Sequence, residues 1–293
     1  MDNSGGFTTP PPPPPPPGGE GGAAGAGGPG LAPRGLGDIL SAAFQIYRDN
    51  AANLIMIVAV VVVPLTFISA FFYGVVFDPT PNVDVDLTNG TVEIASRSAF
   101  EGFFVGILVA AIGVIIWTVL EAALVRGAAQ GTIGDPVDMD ASYKWGFARF
   151  GSVLLVSILV GLAVLGGLIL FIIPGIIFGV MFAVSIPALV VENKRGTEAM
   201  SRSWNLVKGH FWHALGVIFV AGILTGIVAG IIRAIGFAIS DNWFVDWIFQ
   251  AIAQIIVAPF SALVGVLLYL DLRARTESLT SDGLRSELAQ NPT

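Results

Sequence analysis

The chain has 293 residues, of which 54% are hydrophobic and only 12% are charged, and its mean hydropathy is +0.80. Because about 25% of the residues of an ordinary soluble domain are charged, this composition excludes a typical water-soluble protein. The net charge of −7 excludes a basic nucleic-acid-binding surface, and the lack of cysteine excludes disulfides and thiolate metal sites. The composition therefore predicts a polytopic membrane protein without a nucleic-acid partner.

Residues 1–33 differ in composition from the rest of the chain. An unbroken run of prolines occupies 10–17, and Gly/Ala repeats follow it. Consecutive prolines favour an extended polyproline II helix, whereas a glycine-rich stretch behaves as a flexible coil. We expect a disordered cytoplasmic tail, and the alternative is a docking site for a proline-binding module.

Six apolar runs follow, each long enough to cross a bilayer, which takes about 20 helical residues. They cover 54–76, 103–124, 153–172, 175–191, 212–232 and 248–270. The third and fourth belong to one uncharged stretch that is too long for a single span, and Pro174 with Gly175 is expected to break it. We assign 34–280 to an all-α membrane domain of six transmembrane helices and 281–293 to a short cytoplasmic tail.

The first two spans are joined by an acidic loop with the dipeptide Asn89-Gly90 between two stretches of alternating apolar and polar residues. Asn-Gly favours the type I′ turn that joins the strands of a hairpin. The loop is therefore predicted to form a short β-hairpin.

Charged residues indicate how the spans are oriented. Most of the 14 Lys and Arg residues precede the first span, follow the sixth, or lie in the loops after the second and fourth. Since basic loops stay in the cytoplasm, both termini are predicted to be cytoplasmic in a plasma membrane. The first and fifth loops are mostly acidic, and the third carries no charge. No charge is expected near the middle of a span, which argues against a proton pump, and Glu121 is placed near the cytoplasmic end of the second.

A short pattern recurs before each odd-numbered span: a serine lies three residues before an aromatic residue, and a base lies four after it. On a helix these three side chains share one face, with the aromatic ring at headgroup depth. The pattern predicts three cytoplasmic interfacial helices and a threefold repeat of interfacial helix, span and span. The alternative is that any interfacial helix carries an aromatic residue and a base. The predicted anchors are Phe44, Trp145, Trp204 and Trp212.

Four charged residues are predicted to lie at the same depth, at the cytoplasmic ends of the spans. They are Glu192, Arg202, Asp271 and Arg273. A carboxylate at this depth is partly dehydrated, and arginine can hold it through two hydrogen bonds. We expect one ionic cluster that joins the three units, and the alternative is that the arginines face lipid phosphate independently.

The residues that could carry chemistry are few. His210 and His213 are three apart at the start of the fifth span, where interfacial anchoring is favoured over a metal site because no further ligand is evident. The sequence contains no P-loop and no hydrolase or metalloprotease motif. We expect no metal and no cofactor.

Two stretches and an opening motif carry a family resemblance. They are Ser185-x-Pro187-x4-Glu192 with Gly196-x2-Ala199-x2-Arg202-Ser203-Trp204, then Tyr269-x-Asp271-x-Arg273-x-Arg275-x-Glu277, and Leu36-Gly37-Asp38-Ile39-Leu40. Over about residues 35–280 the chain resembles the membrane domain of bacterial glycerophosphoryl diester phosphodiesterases and related stand-alone six-helix membrane proteins. In those enzymes a separate soluble barrel hydrolyses the diester. The chain leaves no room for that barrel, so the resemblance implies no hydrolase activity here.

The sequence thus predicts a non-enzymatic scaffold or lipid-handling accessory of a bacterial plasma membrane. Its expected partners are membrane lipids, another membrane protein, or a proline-binding module on the tail. A permease for a small solute is the alternative, favoured by the repeat and by prolines within three of the spans. A polar cavity reaching mid-membrane would favour transport, whereas a lipid-filled groove or a solid bundle would favour the accessory role.

Overall fold

A computed structural model describes residues 33–71, 82–86, 91–95, 99–240, 242–277 and 281–289. The expected tail over 1–33 lies outside the described residues except for Pro33, as does the Asn89-Gly90 turn. Eleven helices are described. They are α1 (Leu36–Asp49), α2 (Ala51–Phe71), α3 (Ala99–Thr132), α4 (Met139–Ala148), α5 (Phe150–Leu170), α6 (Ile172–Met181), α7 (Ser185–Glu192), α8 (Thr197–Val207), α9 (Phe211–Ile239), α10 (Trp243–Thr276) and α11 (Ser281–Ala289).

Six helical segments are long and apolar enough to cross a membrane. They are Ala51–Phe71, Ala111–Thr132, Phe150–Leu170, Ile172–Glu192, Phe211–Ile239 and Trp243–Thr276. The prediction of a multi-pass helical membrane protein with six spans is therefore confirmed by length and composition. In chain order, one of the short helices α1, α4 and α8 precedes each pair of these segments.

Between α2 and α3 the chain forms two strands, β1 (Asn82–Asp86) and β2 (Thr91–Ala95). They pair in antiparallel fashion, with Val83 opposite Ile94 and Val85 opposite Val92. The register thus sets apolar positions opposite apolar positions, which is the pairing that the alternating sequence favours.

Helix α10 is central, because it packs against α1, α2, α3, α7, α8 and α9. Half of its most apolar window is buried, whereas only 17% of that of α5 and 11% of that of α9 is buried. Large side chains such as Ile169, Leu170 and Phe219 are exposed on these outer helices. So much exposed apolar surface suits a lipid environment.

The fourth span is built differently from the prediction. The break after α5 lies at Phe171, whose backbone is extended (φ −162°, ψ 155°), so the predicted break at Pro174 and Gly175 is placed too late. Pro174 lies in the first turn of α6, where a proline costs no helical hydrogen bond. A second break at 182–184 separates α6 from α7, and Pro187 again occupies a first turn.

The second span also extends further than predicted. Helix α3 continues past residue 124 to Thr132, and Arg126, assigned to the following loop, is only 8% exposed. Its guanidinium lies 5.5 Å from the centre of the Trp145 ring, so a protein side chain rather than water surrounds it. Glu121 consequently lies inside the candidate span Ala111–Thr132, eleven residues before its end. The predicted end of the second span at residue 124 is therefore too early.

Two glycines allow α5 and α6 to approach each other closely. A Cβ atom on Gly167 would lie 2.8 Å from the backbone of Gly175, whereas one on the neighbouring Gly166 would meet nothing within 4 Å. Gly166 and Gly167 therefore allow a test of this packing, because the same substitution at the two positions meets different surroundings.

We expect Gly167→Val to lower the thermal stability of the detergent-solubilised protein, because overpacking costs about 1–3 kcal/mol. Gly166→Val is the matched control, since it carries the same penalty for a β-branched residue in a helix. Differential scanning fluorimetry of both variants measures the difference. Equal losses of stability would contradict the close contact between α5 and α6.

Candidate functional site

The charged residues at the carboxyl-terminal end of α10 form two separate groups. The first, which we call the Glu192 group, comprises Glu192, Arg202, Tyr269, Arg273, Glu277 and Glu287. Its centre is the carboxylate of Glu192 at the last residue of α7. Arg202 Nε donates to Glu192 Oε1 at 2.7 Å, Tyr269 donates its hydroxyl to the same oxygen, and Arg273 Nε lies 3.5 Å from it.

Three helices and the end of α10 meet in this group. Arg202, on α8, also forms a salt bridge with Glu277. Arg273 donates to both carboxylate oxygens of Glu287, at 2.7 and 3.0 Å, and thereby holds α11. Leu284 and Leu288 of α11 are buried. Residues 281–293 are predicted to form only a short tail, whereas the structure has the packed helix α11 over Ser281–Ala289.

The second group, which we call the Asp271 group, comprises Asp271, His213, Arg275 and the backbone of Arg34. The side chain of Asp271 has no exposed surface. It accepts hydrogen bonds from the Arg34 backbone N–H at 2.6 Å and from Arg275 Nε at 2.8 Å, and His213 Nε2 lies 2.9 Å from it. This group joins the start of α1 and the start of α9 to the end of α10.

The expected single cluster of four residues is therefore corrected. Glu192, Arg202 and Arg273 come together, but Asp271 does not join them. Residues 271 and 273 are about 200° apart around a helix, so they face different neighbours. Spacing by four explains both groups, since Tyr269, Arg273 and Glu277 share one face of the chain and Asp271 and Arg275 share another. That spacing, applied to the sequence, could have identified Tyr269, Glu277 and Arg275.

In the Glu192 group, the ion pairs favour the charged forms of Arg202 and Glu277. Burial alone would lower the pKa of Arg202, but its hydrogen bonds to Glu277 and Glu192 outweigh burial and raise it. The hydrogen bond from Arg202 also lowers the pKa of Glu277. Each ion is thus stabilised by its counterpart, and removing one would leave a charge without compensation.

The predicted interfacial anchors fall into two classes. Phe44, Trp204 and Trp212 are exposed, Trp212 by 80%. Trp145 is fully buried, so its predicted role as an anchor facing lipid headgroups is wrong. The reason lies in the next residue, because Gly146 lets α4 approach α3 so closely that a Cβ there would lie 3.1 Å from the carbonyl oxygen of Val119.

Two cavities between the candidate spans share three lining residues, Trp117, Glu121 and Gln254. The larger, of about 730 Å³, lies among α2, α3, α5 and α10. The smaller, of about 360 Å³, lies among α3, α7, α9 and α10. We call them the larger and the smaller Glu121 cavity. Most lining residues are apolar, and the polar ones besides Glu121 and Gln254 are Thr66, Ser69, Thr118, Ser157, Gln250, Arg233 and Ser261.

The polar groups of the cavities are poorly satisfied by the protein. Within the described part of the chain, the Glu121 carboxylate takes part in no hydrogen bond or salt bridge. The hydroxyl of Ser157, which lines the larger cavity, is buried without a hydrogen-bond partner. Glu121 is predicted near the end of the second span, at residue 124. Because α3 continues to Thr132, Glu121 instead lies inside the bundle.

Neither a metal site nor a known relative identifies the function. In the described ranges, no group of three His, Cys, Asp or Glu side chains is arranged to hold a metal ion. No protein-family model, no curated protein and no solved structure matches the chain.

We expect Glu192→Gln and Arg202→Gln each to lower the thermal stability in detergent, and the double variant to lose less than the sum of the two. Contacting charges couple by about 0.5–3 kcal/mol in such a cycle. A second cycle that pairs Arg202→Gln with Asp271→Asn is the control and should be additive, because the two residues belong to different groups. Additivity in the first cycle, or equal coupling in both, would contradict the assignment of two groups.

Proposed function

We propose that the protein is a non-enzymatic, lipid-handling protein of a bacterial plasma membrane that binds an amphipathic molecule between its spans. The observation that carries the proposal is the pair of Glu121 cavities, which are mainly apolar and share a few polar groups. Ligand sites generally combine an apolar lining with a small number of polar groups, and their volumes run from about 300 to 1,000 Å³. The volumes of about 360 and 730 Å³ lie in this range.

The lining of the larger cavity supports a lipid rather than a water-soluble occupant. Ile158, Leu162 and Leu165 line it and are 45%, 61% and 56% exposed on α5. The same side chains therefore border both the cavity and the outer, apolar surface of the bundle. A hydrocarbon chain could pass between them without meeting water.

The orientation and the repeat belong to the same proposal. Both termini are cytoplasmic, and α1, α4 and α8 lie along the cytoplasmic interface as the first parts of three units. The excess of Lys and Arg in the corresponding loops and the short helix before each pair of spans support this arrangement. The resemblance to the membrane domain of glycerophosphoryl diester phosphodiesterases is compatible with a role beside lipid. The proline-rich tail would recruit a proline-binding module or another membrane protein.

A permease for a small solute is the second candidate. Glu121 favours it, because ionisable residues inside spans commonly mark transport pathways. A permease would carry a solute flux across proteoliposome membranes that is lost in Glu121→Gln, whereas a lipid-binding accessory would not.

The orientation is tested with single cysteines, which is convenient because the chain has none of its own. Thr91→Cys, in the hairpin, should react with a membrane-impermeant maleimide on intact cells. Ser201→Cys, at an exposed position of α8, should react only after the cells are opened. The reverse pattern would contradict cytoplasmic termini.

Lipid binding is tested by filling the cavities. Gly161 lines the larger cavity and Gly265 the smaller, and a Cβ at either position meets nothing within 4 Å. We expect Gly161→Leu and Gly265→Leu to retain less lipid per protein after detergent purification, as measured by quantitative mass spectrometry. Gly226→Leu, on the exposed side of α9, is the control. Equal retention by all three variants and the unaltered protein would contradict the proposal.

A further inference from the structure

The Glu121 carboxylate is the unusual feature of the cavities. It lies inside the candidate span Ala111–Thr132, where a charged group is costly unless it is paired. Glu192 and Asp271 are surrounded by donors, but the described residues supply none to Glu121. A carboxylate that lines a cavity and receives no donor from the described residues is suited to receive one from a ligand.

An aromatic ring lies beside this carboxylate. Trp117 is four residues before Glu121 on α3, so the two side chains share one face of the helix, and both line both cavities. A carboxylate next to an indole is the combination that recognises an ammonium group, through charge and through the cation–π interaction. Gln254, which lines both cavities from α10, adds an amide oxygen that can accept an N–H.

The two cavities differ in charge. Arg233 lines the smaller cavity, so a cation there would meet a like charge. Among the described residues that line the larger cavity, Glu121 is the only charged one. The larger cavity therefore favours a cationic head group, and its apolar side chains on α5 favour a hydrocarbon tail.

We propose that the larger Glu121 cavity binds an amphiphile that carries a protonated amine. The ammonium group hydrogen-bonds to Glu121 and lies against the Trp117 ring, and the hydrocarbon chain runs past Leu162 and Leu165 toward the outer surface of α5. This inference rests on the proposed lipid-handling function and specifies its head-group class.

Trp117 provides the probe for the test. The full chain is reconstituted into bilayers of a neutral zwitterionic lipid and titrated with an alkylamine that is brominated near its head group, or with the matching brominated alcohol. Bromine quenches tryptophan only at short range. The signal of Trp117 is the difference between the unaltered protein and Trp117→Phe at an equal bilayer mole fraction of probe.

We expect the amine to quench Trp117 at about tenfold lower mole fraction than the alcohol, since one charge-assisted interaction distinguishes the probes. In Glu121→Gln this preference should disappear while quenching by the alcohol persists. Glu198→Gln, an exposed carboxylate on α8, should leave the preference unchanged. Gly161→Leu, which narrows the cavity without altering its charge, should weaken quenching by the amine.

Equal quenching by amine and alcohol in the unaltered protein, or a preference that survives in Glu121→Gln, would overturn the amine site and leave lipid binding standing. Absence of quenching of Trp117 by either probe would overturn the proposed lipid-handling function together with the site.

Discussion

The compensation of buried charge at the carboxyl-terminal end of α10 determines how the other helices can be arranged. Asp271 and Arg273 lie two residues apart on this helix and are both nearly inaccessible to solvent. Each requires partners on its own side: the Asp271 group recruits the starts of α1 and α9, and the Glu192 group recruits α7, α8 and α11. Removing one member of a buried pair typically costs 3–5 kcal/mol, so these contacts strongly restrict how the surrounding helices sit on α10.

The Glu121 cavities show what happens where such compensation is missing. Between α3 and α10 the lining of the smaller cavity includes the small residues Ala258, Ala262 and Gly265, which leave space that larger side chains would fill. Glu121 lines this space together with Arg233, but within the described residues its carboxylate takes part in no hydrogen bond or salt bridge. The same residue type thus belongs to a structural ion pair at one end of the bundle and to an open cavity between its spans. The difference lies in the side chains that the neighbouring helices place beside each carboxylate.

Much of the architecture follows from hydrophobic run length and from helical spacing, which is why six spans and the hairpin could be predicted. The errors arise where tertiary contacts override local signals. Arg126 resembles a loop residue in sequence, but its guanidinium lies over the Trp145 ring, and α3 continues to Thr132, so Glu121 is no longer at a span end. Trp145 has the spacing of an interfacial anchor, but Gly146 brings its helix against α3. The prediction groups Asp271 with Arg273 because the two residues lie at the same depth. The helical period, however, directs their side chains about 200° apart around α10.

We propose a bundle that is held at one end by ion pairs and that binds an amphiphile between its spans. Photo-crosslinking with a lipid that carries a diazirine in its acyl chain, followed by peptide mapping of the reconstituted protein, tests this most directly. We expect adducts on Glu121 of α3 and Gln254 of α10, which line both cavities, and we expect cavity-filling at Gly161 to reduce them. Adducts confined to outward-facing residues such as Ile169 and Phe219, which any surrounding lipid would reach, would contradict it.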